Sequence, residues 1–147
     1  MLQCIRPAHV GGDSYLVDAF SAARHLQSID DLAYELIAST PIRFHRKQKD
    51  FEKILERAIL SGGIDDVASF QVRYSYFTLA PYRFSFGRME AWYRAHDRFA
   101  RIVRDARNQY RFSLGLGDFV LYDNYRMLHA RTSFRGARWF RGVYFDR

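Results

Sequence analysis

Apolar residues change their spacing along the chain, and each spacing predicts a different element. Residues 1–5 and 15–17 form short apolar runs that predict two strands near the start. Asp18 then precedes apolar residues at helical spacing, so we expect Asp18 to cap a first helix. Ser28 resembles the start of a capping box and predicts a second helix, which ends at Pro41.

The middle of the chain mixes the two periods. Residues 41–44 predict a strand, and residues 45–50 are a polar run. Residues 51–60 place apolar side chains at helical spacing, which predicts a short helix closed by the glycines at 62 and 63. Residues 70–77 alternate and are rich in β-forming types, so we expect a strand.

The clearest helix of the sequence covers residues 86–108, and the period switches to two after it. The strands expected there comprise residues 110–114, 119–122, 127–131 and 138–145. A tight turn at residues 115–118 should join the first two as a hairpin, because a phosphate-binding glycine loop would lead into a helix. The pattern predicts one domain over residues 1–147, mainly β with helical insertions, resembling a jelly roll.

Composition narrows the class of protein. Of 147 residues, 48% are hydrophobic and 27% are charged, which is typical of a globular domain. Cys4 is the only cysteine, which excludes an internal disulfide framework and a cysteine-based zinc cluster. No apolar run approaches the roughly 20 residues of a membrane-spanning helix. Because Arg6 and His9 interrupt the first residues, we expect no signal peptide.

The charge is unbalanced toward arginine. The formal net charge is +7, and 20 of the 23 basic residues are arginine. Such a charge is compatible with a phosphate-binding face for nucleic acid. An arginine-rich surface that is merely solvated is the favoured interpretation, because the arginines are interleaved with acids.

His129 and Arg138 are the residues whose spacing suggests chemistry. Cys4 and His96 lie in apolar surroundings and are expected to be structural. His129 lies on one predicted strand, and Arg138 begins the next one nine residues later. An imidazole suits a transition metal and a guanidinium suits a carboxylate, so the pair could hold a metal-bound 2-oxo acid. The alternative is a structural histidine with a surface arginine.

Several motifs resemble the carnitine-pathway branch of the TauD-like Fe(II)/2-oxoglutarate dioxygenases, namely the trimethyllysine and γ-butyrobetaine dioxygenases. The most specific marker is the run Asp-Asn-Tyr-Arg-Met-Leu-His-Ala-Arg at residues 123–131, and the resemblance extends over nearly the whole chain. The other markers are residues 11–20, 72–74, 92–96, 117–119 and 138–144. The Trp-Tyr-Arg-Ala-His stretch at 92–96 is more similar to the trimethyllysine enzymes.

The resemblance assigns roles to three residues. It implies that His129 binds iron, that Arg138 anchors the distal carboxylate of 2-oxoglutarate, and that Tyr144 helps to cage a trimethylammonium group. The implied cofactors are Fe(II) and 2-oxoglutarate, with ascorbate allowed as a reductant. The implied reaction decarboxylates 2-oxoglutarate to succinate while hydroxylating an unactivated C–H bond. The substrate would be trimethyllysine in carnitine biosynthesis.

Three departures qualify that reading. The family's metal site also uses a His-x-Asp pair on an earlier strand, and no such pair occurs in this sequence. Ser75, Tyr76 and Phe77 replace an asparagine-rich stretch, and Ala130 replaces a glycine beside the metal ligand. We therefore expect a partial double-stranded β-helix that lacks its N-terminal strands and is catalytically silent alone. It would be a truncated gene model, a fragment or a degenerate copy.

The resemblance also sets expectations for partners and location. We expect a small quaternary-ammonium substrate and no membrane partner, with a homodimer compatible with the family. Nucleic acid is the less favoured partner. The location would be mitochondrial in a eukaryote and cytoplasmic otherwise. The alternative function is a non-catalytic or basic nucleic-acid-binding domain.

Overall fold

The computed structural model describes residues 1–81 and 83–145 and contains twelve strands and three α-helices in these ranges. The helices are α1 (Ala19–Ile29), α2 (Asp31–Ser39) and α3 (Phe86–Arg104). The strands before α3 are β1 (Leu2–Arg6), β2 (Val10–Gly11), β3 (Ser14–Asp18), β4 (Ile42–Gln48), β5 (Phe51–Arg57), β6 (Leu60–Ser61) and β7 (Gln71–Val72). Those after it are β8 (Tyr110–Phe112), β9 (Phe119–Val120), β10 (Met127–Arg131), β11 (Phe134–Arg135) and β12 (Trp139–Gly142).

The β part of the fold comprises two three-stranded antiparallel sheets and three two-stranded ones, namely β11-β2, β4-β5 and β6-β7. One three-stranded sheet has the order β12-β1-β9 and the other the order β10-β3-β8. The strands β8, β9, β10 and β12 alternate between these two sheets, as in the expected jelly-roll arrangement, whereas β3 and β8 are neighbours in one sheet. The strands β10 and β12, which carry or adjoin the candidate site residues, are each at the edge of their sheet.

The three helices pack against one another, and α1 contacts β3 and β10 of the sheet β10-β3-β8. Their contacts form a single hydrophobic cluster that includes Val17 of β3 and Leu128 of β10. From α3, Trp92 and Phe99 are almost fully buried in it. Helices of this kind are stable because they bury an apolar stripe against a sheet. No helix in the described ranges is long and apolar enough to cross a membrane.

The predicted helix at residues 51–60 is wrong, because this segment forms β5 and pairs with β4 over seven residues. The apolar residues of this segment have helical spacing, but the extended conformation lets Glu52 and Glu56 form ion pairs with basic residues of β4. The predicted strand at 70–77 shrinks to β7, because the Tyr74 ring turns into the helical layer and stacks on His96 at 5.5 Å.

Two predicted junctions also differ from the structure. The second helix begins after Asp30, not Ser28, because α1 continues through Ser28 and the Asp30 carboxylate accepts a hydrogen bond from the Ala33 amide at 3.0 Å. The predicted hairpin at 115–118 does not form, because β8 pairs with β3 whereas β9 pairs with β1. The Gly117 amide instead donates to the Cys4 carbonyl oxygen at 3.0 Å, which holds the turn against β1.

Asp18 caps α1, as the sequence predicts. Its carboxylate accepts hydrogen bonds from the Phe20 amide at 3.1 Å and the Ser21 hydroxyl at 2.9 Å. It also accepts two from the Arg126 guanidinium, at 2.9 and 2.5 Å. Burial raises the pKa of Asp18, but the hydrogen bonds and the charge of Arg126 together bring it below its usual value.

We predict that Asp18→Ala lowers the free energy of unfolding by about 2 kcal/mol, because it removes both the helix cap and the partner of Arg126. Asp18→Asn should lower it by only about 1 kcal/mol, since an asparagine still caps a helix. Urea denaturation followed by circular dichroism measures both.

The pH dependence provides a check on the charge of Asp18. A carboxyl group whose pKa is lowered in the folded state stabilises it above the unfolded-state value of about 3.8, and this contribution is lost as the pH falls through the lowered pKa. The stability difference between the wild type and Asp18→Asn should therefore shrink in acid. An Asp18→Asn variant as stable as the wild type at neutral pH would contradict a role for the charge.

Candidate functional site

His129 lies in the middle of β10 and faces the space between the two sheets. It is paired with Leu16 of β3, whereas its neighbour Leu128 is paired with Val17 and packs against the helical core. Because successive residues of a strand point to opposite faces, the imidazole is on the side away from the helices. Its Nε2 atom is buried and has no hydrogen-bond partner among the described residues.

The surroundings of His129 keep its imidazole neutral. Burial lowers its pKa, and the positive charge of Arg138 lowers it further. The Tyr122 ring stacks on it with centroids 5.8 Å apart and an interplanar angle of 28°. A neutral imidazole with an unused nitrogen is the form that binds a transition metal.

Arg138 precedes β12 and extends into the same interior. Its guanidinium carbon lies 3.6 Å from the centroid of the Phe140 ring, and its Nη2 atom is buried without a hydrogen-bond partner in the described part of the chain. Burial and the charge of Arg131 lower its pKa, yet an arginine stays protonated in a protein. The site therefore holds a half-buried cation with one buried, unused donor.

Gly12 provides the space for the Arg138 side chain. Its φ is +82°, and a Cβ atom there would lie 3.2 Å from Nε of Arg138 and 3.3 Å from Cβ of Phe134. A glycine is thus favoured both by backbone conformation and by the close approach of the guanidinium.

Ser14 belongs to the same interior, although the sequence analysis did not single it out. It is only 1% exposed, and its hydroxyl has no hydrogen-bond partner within the described ranges. It lies two residues before Leu16 on β3 and so shares the face that His129 occupies. The sequence feature that could have identified Ser14 is its place on β3, where it shares the inward face with the apolar Leu16.

Tyr144 lies beyond the end of β12, so the strand alternation that places Arg138 and Phe140 on one face does not extend to it. The side chain is 83% exposed and lines a cavity of about 410 Å³ together with Tyr122 and Tyr125. Burial raises the pKa of Tyr122, and the proximity of Tyr144 adds to this effect. Tyr122 is thus close both to His129, on which its ring stacks, and to Tyr144.

The expected structural roles of Cys4 and His96 are confirmed. Cys4 is fully buried, and burial raises the pKa of its thiol, the opposite of what a reactive cysteine needs. His96 is stacked against Trp92 at 5.1 Å and against Tyr74 at 5.5 Å in the helical layer. Neither residue is a candidate for catalysis.

The interior is suited to an anionic ligand next to a metal, but its metal ligands are incomplete. A guanidinium and a hydroxyl suit a carboxylate, and the unused imidazole nitrogen suits one coordination position. No group of three or more His, Cys, Asp or Glu residues that could hold a metal occurs in residues 1–81 and 83–145. The described residues therefore fit one ligand of an iron site and the anchor of an acid.

Comparison with known proteins identifies related chains over the whole length. The family model described as "Taurine catabolism dioxygenase TauD, TfdA family" matches residues 1–144. The chain is 31% identical to a gamma-butyrobetaine dioxygenase of Pseudomonas sp. (strain AK-1) over 150 residues, which cover 99% of this chain and 39% of the relative. It is 30% identical to the trimethyllysine dioxygenase of Neurospora crassa, covering 93% of this chain and 30% of the relative.

A solved structure resembles the fold. The non-heme iron oxygenase OrfP in complex with Fe superposes with a TM-score of 0.58 at 16% identity and covers 95% of this chain and 43% of its own. This likeness confirms the expected fold class, a mainly β, partial jelly roll. The chain spans about two fifths of the length of the Pseudomonas relative.

We predict that Gly12→Ala destabilises the fold by about 1 kcal/mol more than Gly117→Ala does. Both glycines have a positive φ, so both substitutions strain the backbone by about 1–2 kcal/mol. Only at Gly12 would the new methyl group crowd Arg138, because no atom lies within 4 Å of the corresponding position at Gly117. Thermal unfolding of the two variants measures the difference. Equal effects would mean that Arg138 does not pack against Gly12.

Proposed function

The chain belongs to the taurine catabolism dioxygenase TauD, TfdA family, and we propose that it provides part of the active site of an Fe(II)/2-oxoglutarate dioxygenase. The observation that carries the proposal is the buried Nε2 of His129, together with the buried Nη2 of Arg138 and Oγ of Ser14, all without partners in the described chain. A buried polar group without a partner costs about 1–3 kcal/mol, so a ligand that satisfies these atoms explains why they are there.

In this proposal His129 provides one ligand to iron. Its lowered pKa keeps Nε2 free of a proton at neutral pH, and the stacked Tyr122 ring fixes the plane of the imidazole. Iron, when bound, supplies the oxidising chemistry. The remaining ligands would have to come from outside the described residues, and the free edge of β10 is a place where a further strand could present them.

Arg138 and Ser14 would hold the distal carboxylate of 2-oxoglutarate. The guanidinium can donate two parallel hydrogen bonds, and the ring of Phe140 beneath it restricts its orientation. Because Nη2 of Arg138 and Oγ of Ser14 are buried, the carboxylate would be held away from water, where a charged hydrogen bond is stronger. Residues 1–147 would then be the C-terminal portion of a catalytic domain.

The proposed substrate carries a trimethylammonium group, most specifically trimethyllysine in carnitine biosynthesis. Support comes from relatives named for gamma-butyrobetaine and trimethyllysine, and from the cavity that Tyr144 lines with Tyr122 and Tyr125. A quaternary ammonium cannot donate hydrogen bonds and is bound by aromatic faces, each worth roughly 0.5–2 kcal/mol. The protein would be mitochondrial in a eukaryote, as the relative in Bos taurus is named, and cytoplasmic in a bacterium.

We predict that Arg138→Lys weakens 2-oxoglutarate binding by roughly ten- to a thousandfold, because a point charge cannot replace the bidentate guanidinium. Arg141→Lys is the matched control, since Arg141 is exposed and donates to the Gln3 side chain at 2.7 Å. Ligand-detected NMR titration of the 147-residue chain measures both. Equal weakening in the two variants would exclude Arg138 as the anchor.

We also predict that the 147-residue chain binds Fe(II) weakly and does not turn over trimethyllysine. A single imidazole cannot hold iron as a set of three ligands does. An anaerobic Fe(II) titration in the presence of 2-oxoglutarate, followed by a succinate assay after oxygen is admitted, tests this. Tight binding with succinate formation would contradict it and would require ligands that the described residues do not contain.

A further inference from the structure

The hairpin of β4 and β5 projects from the rest of the molecule. Its base is held by two backbone hydrogen bonds, from the His45 amide to the Thr78 carbonyl oxygen at 2.7 Å and from the Ala80 amide to the Arg43 carbonyl oxygen at 2.9 Å. Beyond this base every residue from 46 to 54 is exposed. We call residues 46–54 the basic finger.

One face of the hairpin is electrostatically satisfied. Arg43 binds Glu56 at 3.0 Å, and Nε2 of His45 lies 2.7 Å from a carboxylate oxygen of Glu52. Both glutamates of β5 are therefore already engaged on this face, and Lys47, which the register places directly opposite Glu52, lies on it too.

The other face carries Arg46 and Lys53 and no acid, whereas Lys49 and Asp50 form the turn that joins the two strands. Arg46 lies directly opposite Lys53 in the strand register, and like charges in that position repel each other. No ion pair joins Arg46, Lys47, Lys49 or Lys53 to an acid in the described part of the chain. The chain has only three lysines, and all of them lie in this finger. Folding alone gives no reason to collect these charges, whereas an anionic surface does.

Two apolar side chains project beside the cations. Phe51 is 47% exposed and Ile54 is 53% exposed, and the register places them on opposite faces of the finger. Single-stranded nucleic acid would need several aromatic rings for successive bases. The finger has one, and the Arg46 guanidinium lies 5.9 Å from its centroid. Flexible lysines around exposed apolar groups suit a surface whose outer layer is anionic and whose interior is apolar.

We propose that the basic finger docks on an anionic phospholipid surface. Four cations (Arg46, Lys47, Lys49 and Lys53) bind lipid headgroups, and Phe51 and Ile54 enter the boundary between headgroups and acyl chains. Such contact is peripheral and needs no spanning helix, so the absence of a long apolar run from the sequence is compatible with it. The proposal is independent of the iron site.

Vesicle flotation of the 147-residue chain tests the proposal. We expect binding to phosphatidylcholine vesicles that contain roughly 30% phosphatidylserine and little binding to pure phosphatidylcholine. Lys49→Gln combined with Lys53→Gln should weaken binding roughly 25-fold, because each cation near an anionic membrane contributes about fivefold. This variant should not unfold, since it removes the repulsion between Lys53 and Arg46.

Two further variants separate the lipid surface from other anions. Arg6→Gln combined with Arg135→Gln removes the same charge from exposed positions outside the finger and should leave flotation unchanged. Phe51→Ser combined with Ile54→Ser keeps every cation and should weaken flotation roughly tenfold. Vesicle binding that is unchanged by the lysine substitutions would overturn the proposal. So would tighter binding of a single-stranded oligonucleotide through the same lysines.

Discussion

The carboxylate of Asp18 joins the three parts of the structure. It ends β3, caps α1 through the Phe20 amide, and binds Arg126 immediately before β10. One side chain thus fixes where the strand stops, where the helical layer starts and where the partner strand enters the sheet. The register of β3 against β10 follows, and with it the pairing of Leu16 with His129. A one-residue slip would turn the imidazole into the helical core.

That register gives the β10-β3 pair two faces with opposite tasks. Val17 and Leu128 face the helices and belong to the apolar cluster that stabilises the domain. Ser14 and His129 face the space between the sheets and leave polar atoms without partners in the described chain. Buried polar atoms without partners lower the free energy of unfolding, whereas buried apolar groups raise it. The apolar packing of the helices therefore offsets the destabilisation by the polar atoms of the site.

Much of this could be predicted from local pattern, and the failures have physical causes. Asp18 and the long helix were predictable because a cap and an apolar stripe are local signals. The hairpin at 42–57 was not, because a short apolar run fits both periods and only the pairing of Glu52 and Glu56 with residues of β4 decides between them. The separation of β8 from β9 depends on which distant strand each meets, and no residue near the turn encodes that.

The candidate site also depends on contacts between distant residues, which local sequence does not show. The spacing of His129 and Arg138 suggested convergence on neighbouring strands, yet β10 and β12 belong to different sheets. The two side chains meet across the interior, and their proximity depends on Gly12, whose missing side chain leaves room for the guanidinium. Ser14 escaped notice because a serine in a strand has no meaning until its burial and its unused hydroxyl are known. Polar atoms buried without partners are thus the feature that only the folded chain reveals, and they point to the ligand that the fold is built to receive.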